Sequence, residues 1–256
     1  MLQFTSPLDD PALECQLMDR LLVMHAETDQ ILAHSRFQDV SLDRVCSVEI
    51  QSGQMGLQLH AIETRMVPFD FQIISDAMWD MSMEHEYPRH VILHQDIKAD
   101  EGIITRVLER SVDLPSGSSR YCGKAVQRWF TGAHRVVVVA SMVTDAIQIA
   151  GQSFQGACIR THVWMVLEPA TEANAACGSR KPATIRKLDY LAEPEVYDDD
   201  MSEKERRATI DVLSNFVLNS VQAKVDTNYQ MLENHLLDRF QSLKIENNAK
   251  TRSSPS

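Results

Sequence analysis

Five strand-like segments follow one another between residues 91 and 168, and they constrain the fold more than any other feature of the chain. They are rich in valine, isoleucine and aromatic residues, and stretches with glycine, serine, proline or aspartate separate them. Parallel strands need a crossover of a dozen or more residues, so short connections indicate antiparallel pairing. The segments are 91–97, 103–114, 121–131, 134–143 and 159–168. The sequence therefore predicts an antiparallel meander.

Alternation of apolar and polar residues gives the segment at 103–114 one dry face and one wet face. Leu108 and Val112 lie on the dry face, and Arg110 lies between them on that same face. Side chains two positions apart in a strand point the same way, so this arginine is expected to point into the interior. A buried guanidinium needs a carboxylate or several other acceptors.

Two further segments define the interior of the predicted sheet. Val163 and Met165 lie on the apolar face of their strand. That alternation places Trp164 on the less apolar face, where we expect it to pack under a loop or to lie partly exposed. The run 136–139 consists of four valines and is apolar on both faces. Such a run is typical of a central strand.

The residues before the meander predict two helices and a strand pair. Residues 9–35 carry an apolar stripe at helical spacing, with Asp9 or Asp10 before Pro11 as a capping signal. Residues 46–65 alternate with period two around a glycine turn, which predicts two paired strands. A short helix is expected over residues 69–83, with Asp70 or Ser75 as its cap.

A long helix is predicted to close the domain. Residues 169–201 read as a loop that contains one more strand near 184–191. Ser202 and Glu205 then match a capping box, and apolar residues continue at helical spacing to about residue 242. We expect one domain over residues 9–242 and a disordered polar tail over residues 243–256.

Charge and cysteine usage narrow the class of function. The net charge of −11 disfavours sequence-independent binding to nucleic acid or to anionic membranes, because such binding depends on an excess of lysine and arginine. The five cysteines are odd in number and form no Cys-Xaa-Xaa-Cys pair, which suits a reducing compartment. Neither a secretory signal nor an apolar run of about 20 residues is present in the sequence. A cytoplasmic protein without stable membrane insertion is expected.

Four motifs carry a resemblance to a known family. They are LxAIETRMVPFDF at 59–71 followed by Met78-Trp79, RVLER at 106–110, RVVVV at 135–139, and RxxxWMVLE at 160–168. With these motifs the chain resembles START-like domains of the type abundant in oomycete proteins. The resemblance covers residues 9 to 242.

The resemblance implies an α+β helix-grip fold, in which a curved antiparallel β-sheet wraps around a long C-terminal α-helix. It also implies a cavity between sheet and helix that binds a lipid, a sterol or another small hydrophobic ligand, without catalysis. A sheet and one helix close imperfectly over each other, and this leaves room for a ligand. The residues expected to bind it are Leu108, Arg110, Val112, Arg128, Val163 and Met165.

Arg110 has two possible roles. It could orient a polar group of the ligand at the end of the cavity, or it could form a structural ion pair at the edge of the sheet. Arg128 is a weaker second candidate for the first role. Arg110→Leu would then weaken binding of a ligand with a polar head and spare a wholly apolar one.

Two other functions remain open from the sequence. The domain could be a ligand-free scaffold that recruits a protein partner through Leu232, Leu236 and Phe240 of the long helix. It could also be a cyclase or hydrolase that uses the cavity, but the sequence offers no convincing acid/base pair. No cofactor is predicted. No metal site is predicted either, because the spacing of His85, His90 and His94 matches no zinc pattern.

Overall fold

One antiparallel sheet of nine strands organises the part of the chain that the structure describes, and three α-helices pack on its two faces. The structure, a computed structural model, describes residues 6–33, 37, 44–53, 56–83, 90–114, 117–170 and 183–252. The strands are β1 (Arg44–Gly53), β2 (Gly56–Val67), β3 (His90–Asp100), β4 (Ile103–Leu114), β5 (Gly117–Thr131), β6 (Val136–Ile149), β7 (Gln152–Ser153), β8 (Ala157–Pro169) and β9 (Thr184–Val196). The helices are α1 (Leu13–Leu32), α2 (Phe71–Met83) and α3 (Glu203–Arg252), and a short 3-10 helix covers Pro7–Asp9.

The strand order is β1-β2-β9-β8-β6-β5-β4-β3, and the short β7 pairs with β6. Every pairing is antiparallel. β9 lies between β2 and β8 and so joins the N-terminal hairpin to the meander. The sheet curls against the C-terminal helix. This arrangement confirms the predicted α+β helix-grip fold.

The sheet has a buried cluster on each face. α2 and α3 cover the concave face, where Val136 and Val138 of β6 are buried. α1 covers the other face, where Val137 and Val139 are buried. Because both faces of β6 are covered, the prediction of a central strand at 136–139 is confirmed.

The predicted environment of Trp164 is wrong. Its side chain is 3% exposed. Its indole N–H donates a hydrogen bond to the backbone carbonyl of Met24 in α1, with a nitrogen–oxygen distance of 2.8 Å. The second face of β8 is dry because α1 packs across it, and alternation within one strand does not reveal such a cover.

His162 lies on this same face and should make stability depend on pH. Burial lowers the pKa of His162 to about 4, and the positive charges of Arg20 and Arg160 add to the effect. Between pH 6.5 and 4 the unfolded chain therefore binds a proton that the folded chain does not bind. We expect the free energy of unfolding to fall across this window by at most about 3 kcal/mol, since one pKa unit corresponds to about 1.4 kcal/mol.

Urea unfolding measured from about pH 7 to pH 4 checks this prediction. His162→Phe should remove most of the pH-dependent loss. His134→Phe, at an exposed position, should keep it. An equally steep loss in both variants would assign the pH dependence to other groups.

α3 begins as the sequence predicts but runs further. The backbone N–H of Ser202 donates to Glu205 Oε2 at 3.1 Å, and the backbone N–H of Glu205 donates to Ser202 Oγ at 3.4 Å, as in a capping box. The helix continues to Arg252, past the predicted end at about residue 242. The disordered polar tail expected over residues 243–256 stays a prediction. Residues 253–256 of that tail lie outside the described residues.

The remaining helix predictions hold with shifted ends. α1 begins at Leu13, and Asp10 Oδ1 accepts a hydrogen bond from the backbone N–H of Ala12 at 2.8 Å. Asp70 caps α2, because its Oδ1 accepts from the backbone N–H of Gln72 at 2.9 Å. Among the described residues, none of the helices combines the length and apolar character that a membrane crossing requires.

Candidate ligand cavity

A cavity of about 210 Å³ lies between the concave face of the sheet and the helices α2 and α3. Most of its surface is apolar, and its polar side chains are few. The lining residues are Met78, Met81, Ser82, Gln127, Val138, Ala140, Val163, Met165, Arg186, Leu188, Tyr190, Val221 and Leu232. Such a mainly apolar surface with a few polar groups is typical of a small-molecule site.

Strand register builds the floor of the cavity from two rows of side chains. One row crosses four neighbouring strands at the same level and consists of Tyr190, Val163, Ala140 and Gln127. The next row consists of Leu188, Met165 and Val138. Residues two apart in a strand share a face, so both rows point to the same side of the sheet. The two helices form the roof, with Met78, Met81 and Ser82 from α2 and Val221 and Leu232 from α3.

A buried charged cluster lies at one corner of this floor, where β2 meets β9. Arg186 Nη1 donates to Glu63 Oε2 at 2.7 Å. Arg65 Nη2 lies 3.0 Å from Glu63 Oε1. The side chains of Arg186, Glu63 and Arg65 are 4%, 1% and 8% exposed, respectively. One carboxylate is thus shared by two guanidinium groups in the interior.

The helix α3 contributes an aromatic ring to this cluster. Arg65 Cζ lies 3.4 Å from the centre of the Tyr229 ring, a cation–π contact. Burial lowers the pKa of Arg186 and the charge of Arg65 lowers it further, whereas Glu63 acts in the opposite direction. Burial also raises the pKa of Tyr229, and a hydrogen bond with Glu233 adds to this shift. The cluster connects the sheet to the roof beside the cavity.

A second polar group lies on the opposite side of the floor. Gln127 Nε2 donates to Ser82 Oγ at 3.3 Å, and Ser82 Oγ donates to the carbonyl of Met78 at 2.9 Å. Arg106 also donates to the backbone carbonyl of Ser82. These contacts fix the C-terminal end of α2 over β5. They leave the middle of the cavity apolar.

The structure places two of the predicted ligand-binding residues in the cavity. Val163 and Met165 line its floor. Leu108 and Val112 are buried in the hydrophobic cluster of the same face, but they lie farther along β4. Ile104 is the β4 residue level with Gln127, and Val112 lies eight residues beyond it, or roughly 26 Å at about 3.3 Å per residue. The register of β4 therefore explains why these two residues lie away from the lining.

Arg110 is buried as predicted, but in a different place. It is 7% exposed, and its Nη2 donates to Gln95 Oε1 of the edge strand β3 at 2.9 Å. It is six residues beyond Ile104 in β4, or roughly 20 Å at about 3.3 Å per residue. Its role as a handle for the ligand stays a prediction, and Arg186 is the arginine that lines the cavity.

Arg128 points away from this cavity, and its role in ligand binding stays a prediction. Its neighbour Gln127 points into the cavity, so Arg128 points to the other face of β5. There Arg128 Cζ lies 4.9 Å from the centre of the Phe130 ring. That ring in turn stacks on His25 of α1 at 3.7 Å between centroids.

Sequence analysis missed Glu63, Arg65 and Arg186, although a usable signal was present. Glu63 and Arg65 alternate with Ala61 and Val67, which are buried on the same face of β2. The alternation of β2 therefore predicts an interior position for Glu63 and Arg65, on the same grounds as for Arg110 in β4. The sequence does not show that β9 pairs with β2, and this pairing brings Arg186 to Glu63.

The described residues offer little for metal or nucleophilic chemistry. No group of three or more His, Cys, Asp and Glu side chains placed to hold a metal ion occurs among them. Burial raises the pKa of the Cys158 thiol to about 12, so the reactive thiolate form is scarce at neutral pH. The titratable side chains among the lining residues are Arg186 and Tyr190.

Comparisons with known proteins give matches of fold only. No family model matches the sequence, and no curated protein matches it. A conserved protein from Geobacillus kaustophilus is 5% identical, with 70% of this chain and 95% of that chain covered and a TM-score of 0.41. The Zhui aromatase/cyclase from Streptomyces sp. R1128 is 13% identical, with 69% and 94% covered and a TM-score of 0.43. An uncharacterised protein from Rhizobium leguminosarum is 9% identical, with 76% and 99% covered and a TM-score of 0.35.

The fold and the cavity define an α+β helix-grip protein with an interior apolar site. At identities of 5 to 13% and TM-scores of 0.35 to 0.43, the three structures are similar to this chain in the course of the backbone alone. No binding or catalytic property is transferred from them.

Proposed function

We propose that this chain is a START-like binding protein that holds a lipid or another small hydrophobic molecule between the sheet and α3, without catalysis. The observation that supports this proposal is the cavity of about 210 Å³, with its two rows of mainly apolar side chains. Protein interiors are otherwise packed as closely as organic crystals, with few voids larger than a water molecule. A cavity of this size within a domain therefore suggests a binding site.

The size and polarity of the cavity set the scale of the ligand. An apolar cavity of about 150 Å³ is large enough to bind benzene. A ligand that buries about 200 Å² of apolar surface would gain roughly 5 kcal/mol at about 25 cal/mol per Å². Before the entropic cost of association, that free energy would correspond to a Kd of about 0.2 mM. Tighter binding requires further contacts with the polar side chains of the lining.

The absence of catalysis is part of the proposal. General acid/base chemistry needs a group whose pKa lies near the operating pH and which lies within hydrogen-bond reach of the substrate. Arg186 is charged across the physiological range, and its contact with Glu63 holds it at the side of the floor. We therefore assign this side chain to binding.

Native mass spectrometry of the purified protein, combined with titration of the neutral fluorophore N-phenyl-1-naphthylamine, tests this function. We expect a co-purifying small molecule, or saturable binding of the fluorophore at sub-millimolar concentrations. A protein that carries no small molecule and binds no apolar probe would contradict the proposal. That result would favour the ligand-free scaffold, whose partner would bind α3.

A further inference from the structure

Arg186 combines three properties that bear on the chemistry of a ligand. It lines an apolar cavity, it is 4% exposed, and one of its donors is unused. Its Nη1 is committed to Glu63, whereas its Nε is buried and has no hydrogen-bond partner among the described residues. A buried donor without an acceptor is costly, so the described residues leave the hydrogen-bonding capacity of Arg186 incompletely satisfied.

The charges around Arg186 do not balance within the described residues. Glu63 contributes one negative charge, and it is shared between Arg186 and Arg65. The second contact of Arg65 is the face of the Tyr229 ring, which attracts a cation but carries no charge of its own. Glu233, the carboxylate hydrogen-bonded to Tyr229, is exposed, so the three buried side chains by themselves carry one excess positive charge. An unpaired charge is unfavourable in such an environment.

We propose that the cavity takes an amphipathic ligand, with an apolar body on the floor and one carboxylate against Arg186. This ligand class rests on the binding function proposed above. Leu188 lies two residues from Arg186 on the same face of β9, and Met165 lies beside Leu188 in the next strand. An apolar body that covers Leu188 and Met165 therefore brings a terminal carboxylate within reach of the guanidinium.

A carboxylate fits this position better than a cation or a neutral polar group. It neutralises the excess charge and accepts a hydrogen bond from the guanidinium, and guanidinium groups match carboxylates in shape as well as in charge. A cationic ligand would meet two arginines and a carboxylate that is already engaged. A neutral group could accept the hydrogen bond but would leave the charge in place.

Two isosteric pairs of probes test the ligand class by displacement of N-phenyl-1-naphthylamine at about pH 8. The first pair is 2-naphthoate and its neutral counterpart 2-naphthamide, and the second pair is octanoate and octanamide. The native protein should bind the acid of at least one pair about tenfold or more tightly than the amide, because hydrogen bonds to charged groups are this strong. Whether 2-naphthoate or octanoate binds more tightly indicates whether the apolar body of the ligand is aromatic or alkyl.

Variants of Arg186 assign the preference to this side chain. Arg186→Met leaves the contact between Glu63 and Arg65 intact, so it should fold, bind the amides and lose the preference to within about twofold. Arg186→Lys keeps the charge and should retain more of the preference than Arg186→Met. The matched control is Arg160→Met, which removes an arginine paired with Glu195 on the other face of β8. It should behave like the native protein.

The outcomes separate the ligand class from the proposed function. Equal affinity of the native protein for acid and amide in both pairs would overturn the ligand class and leave apolar binding in place. An unchanged preference in Arg186→Met would also overturn it. If the purified protein carries no small molecule and binds neither the fluorophore nor any of the four probes, the proposed function fails, and the ligand class fails with it.

Discussion

Glu63→Leu is expected to destabilise the folded protein by about 3–5 kcal/mol, the usual cost of removing one partner from a buried ion pair. Glu63 is 1% exposed, and it is the carboxylate in contact with both Arg65 and Arg186. Leucine fills a similar volume but leaves two buried guanidinium groups without this acceptor. The loss should therefore exceed the effect of most single substitutions, which cost about 0.5–3 kcal/mol.

Chemical denaturation of the native protein and the variant measures this difference. Glu109→Leu is the matched control, because Glu109 and Arg120 form an ion pair at the surface with side chains that are 25% and 52% exposed. Exposed ion pairs contribute about 0–1 kcal/mol, so this variant should unfold close to the native midpoint. Similar losses in the two variants would show that Glu63 is no more important to the fold than a carboxylate at the surface.

Ala140→Phe is expected to abolish binding of small apolar molecules. Ala140 lies in the middle of the floor, between Val163 of β8 and Gln127 of β5, and its small side chain leaves space above it. A phenyl ring at this position would occupy the volume that a ligand needs. We expect the affinity for N-phenyl-1-naphthylamine to fall at least about tenfold, or about 1.4 kcal/mol.

The stability of this variant distinguishes filling from unfolding. A ring that fills existing space should cost little, whereas overpacking of a closed core costs about 1–3 kcal/mol. Ala99→Phe, at an exposed position of β3, is the control and should bind the probe like the native protein. Unchanged binding in folded Ala140→Phe would place the binding site outside this cavity.

Much of the fold could be predicted because each strand carries its own pattern. The strand predicted at 103–114 appears as β4 with the same ends, and the valine run appears as the central part of β6. The capping box at Ser202 is equally local, since its two residues lie one helical turn apart. Elements that are specified by a few neighbouring residues can be predicted from the sequence, because they depend on local backbone geometry and not on distant partners.

The candidate site was harder to predict because it depends on which strands become neighbours. Arg186 and Glu63 are separated by 123 positions, and only the insertion of β9 beside β2 brings them together. Alternation placed Arg110 correctly in the interior. Alternation does not show how far along its strand a residue lies from the cavity, because that depends on the register with neighbouring strands. Trp164 was misplaced for a related reason, since the cover over its face comes from α1 at the other end of the chain.

The position of β9 also decides when the cavity comes into existence. The β1–β2 hairpin is made early on the ribosome, but its neighbour in the sheet is the last strand of the chain. Bringing β9 next to β2 closes a long loop and costs chain entropy. The contacts between the two strands offset this cost only when both strands are present. The meander from β3 to β8 and its α1 cover can pair earlier. The charged corner and the roof of the cavity are therefore assembled last, after synthesis has passed Val196 and α3 has followed.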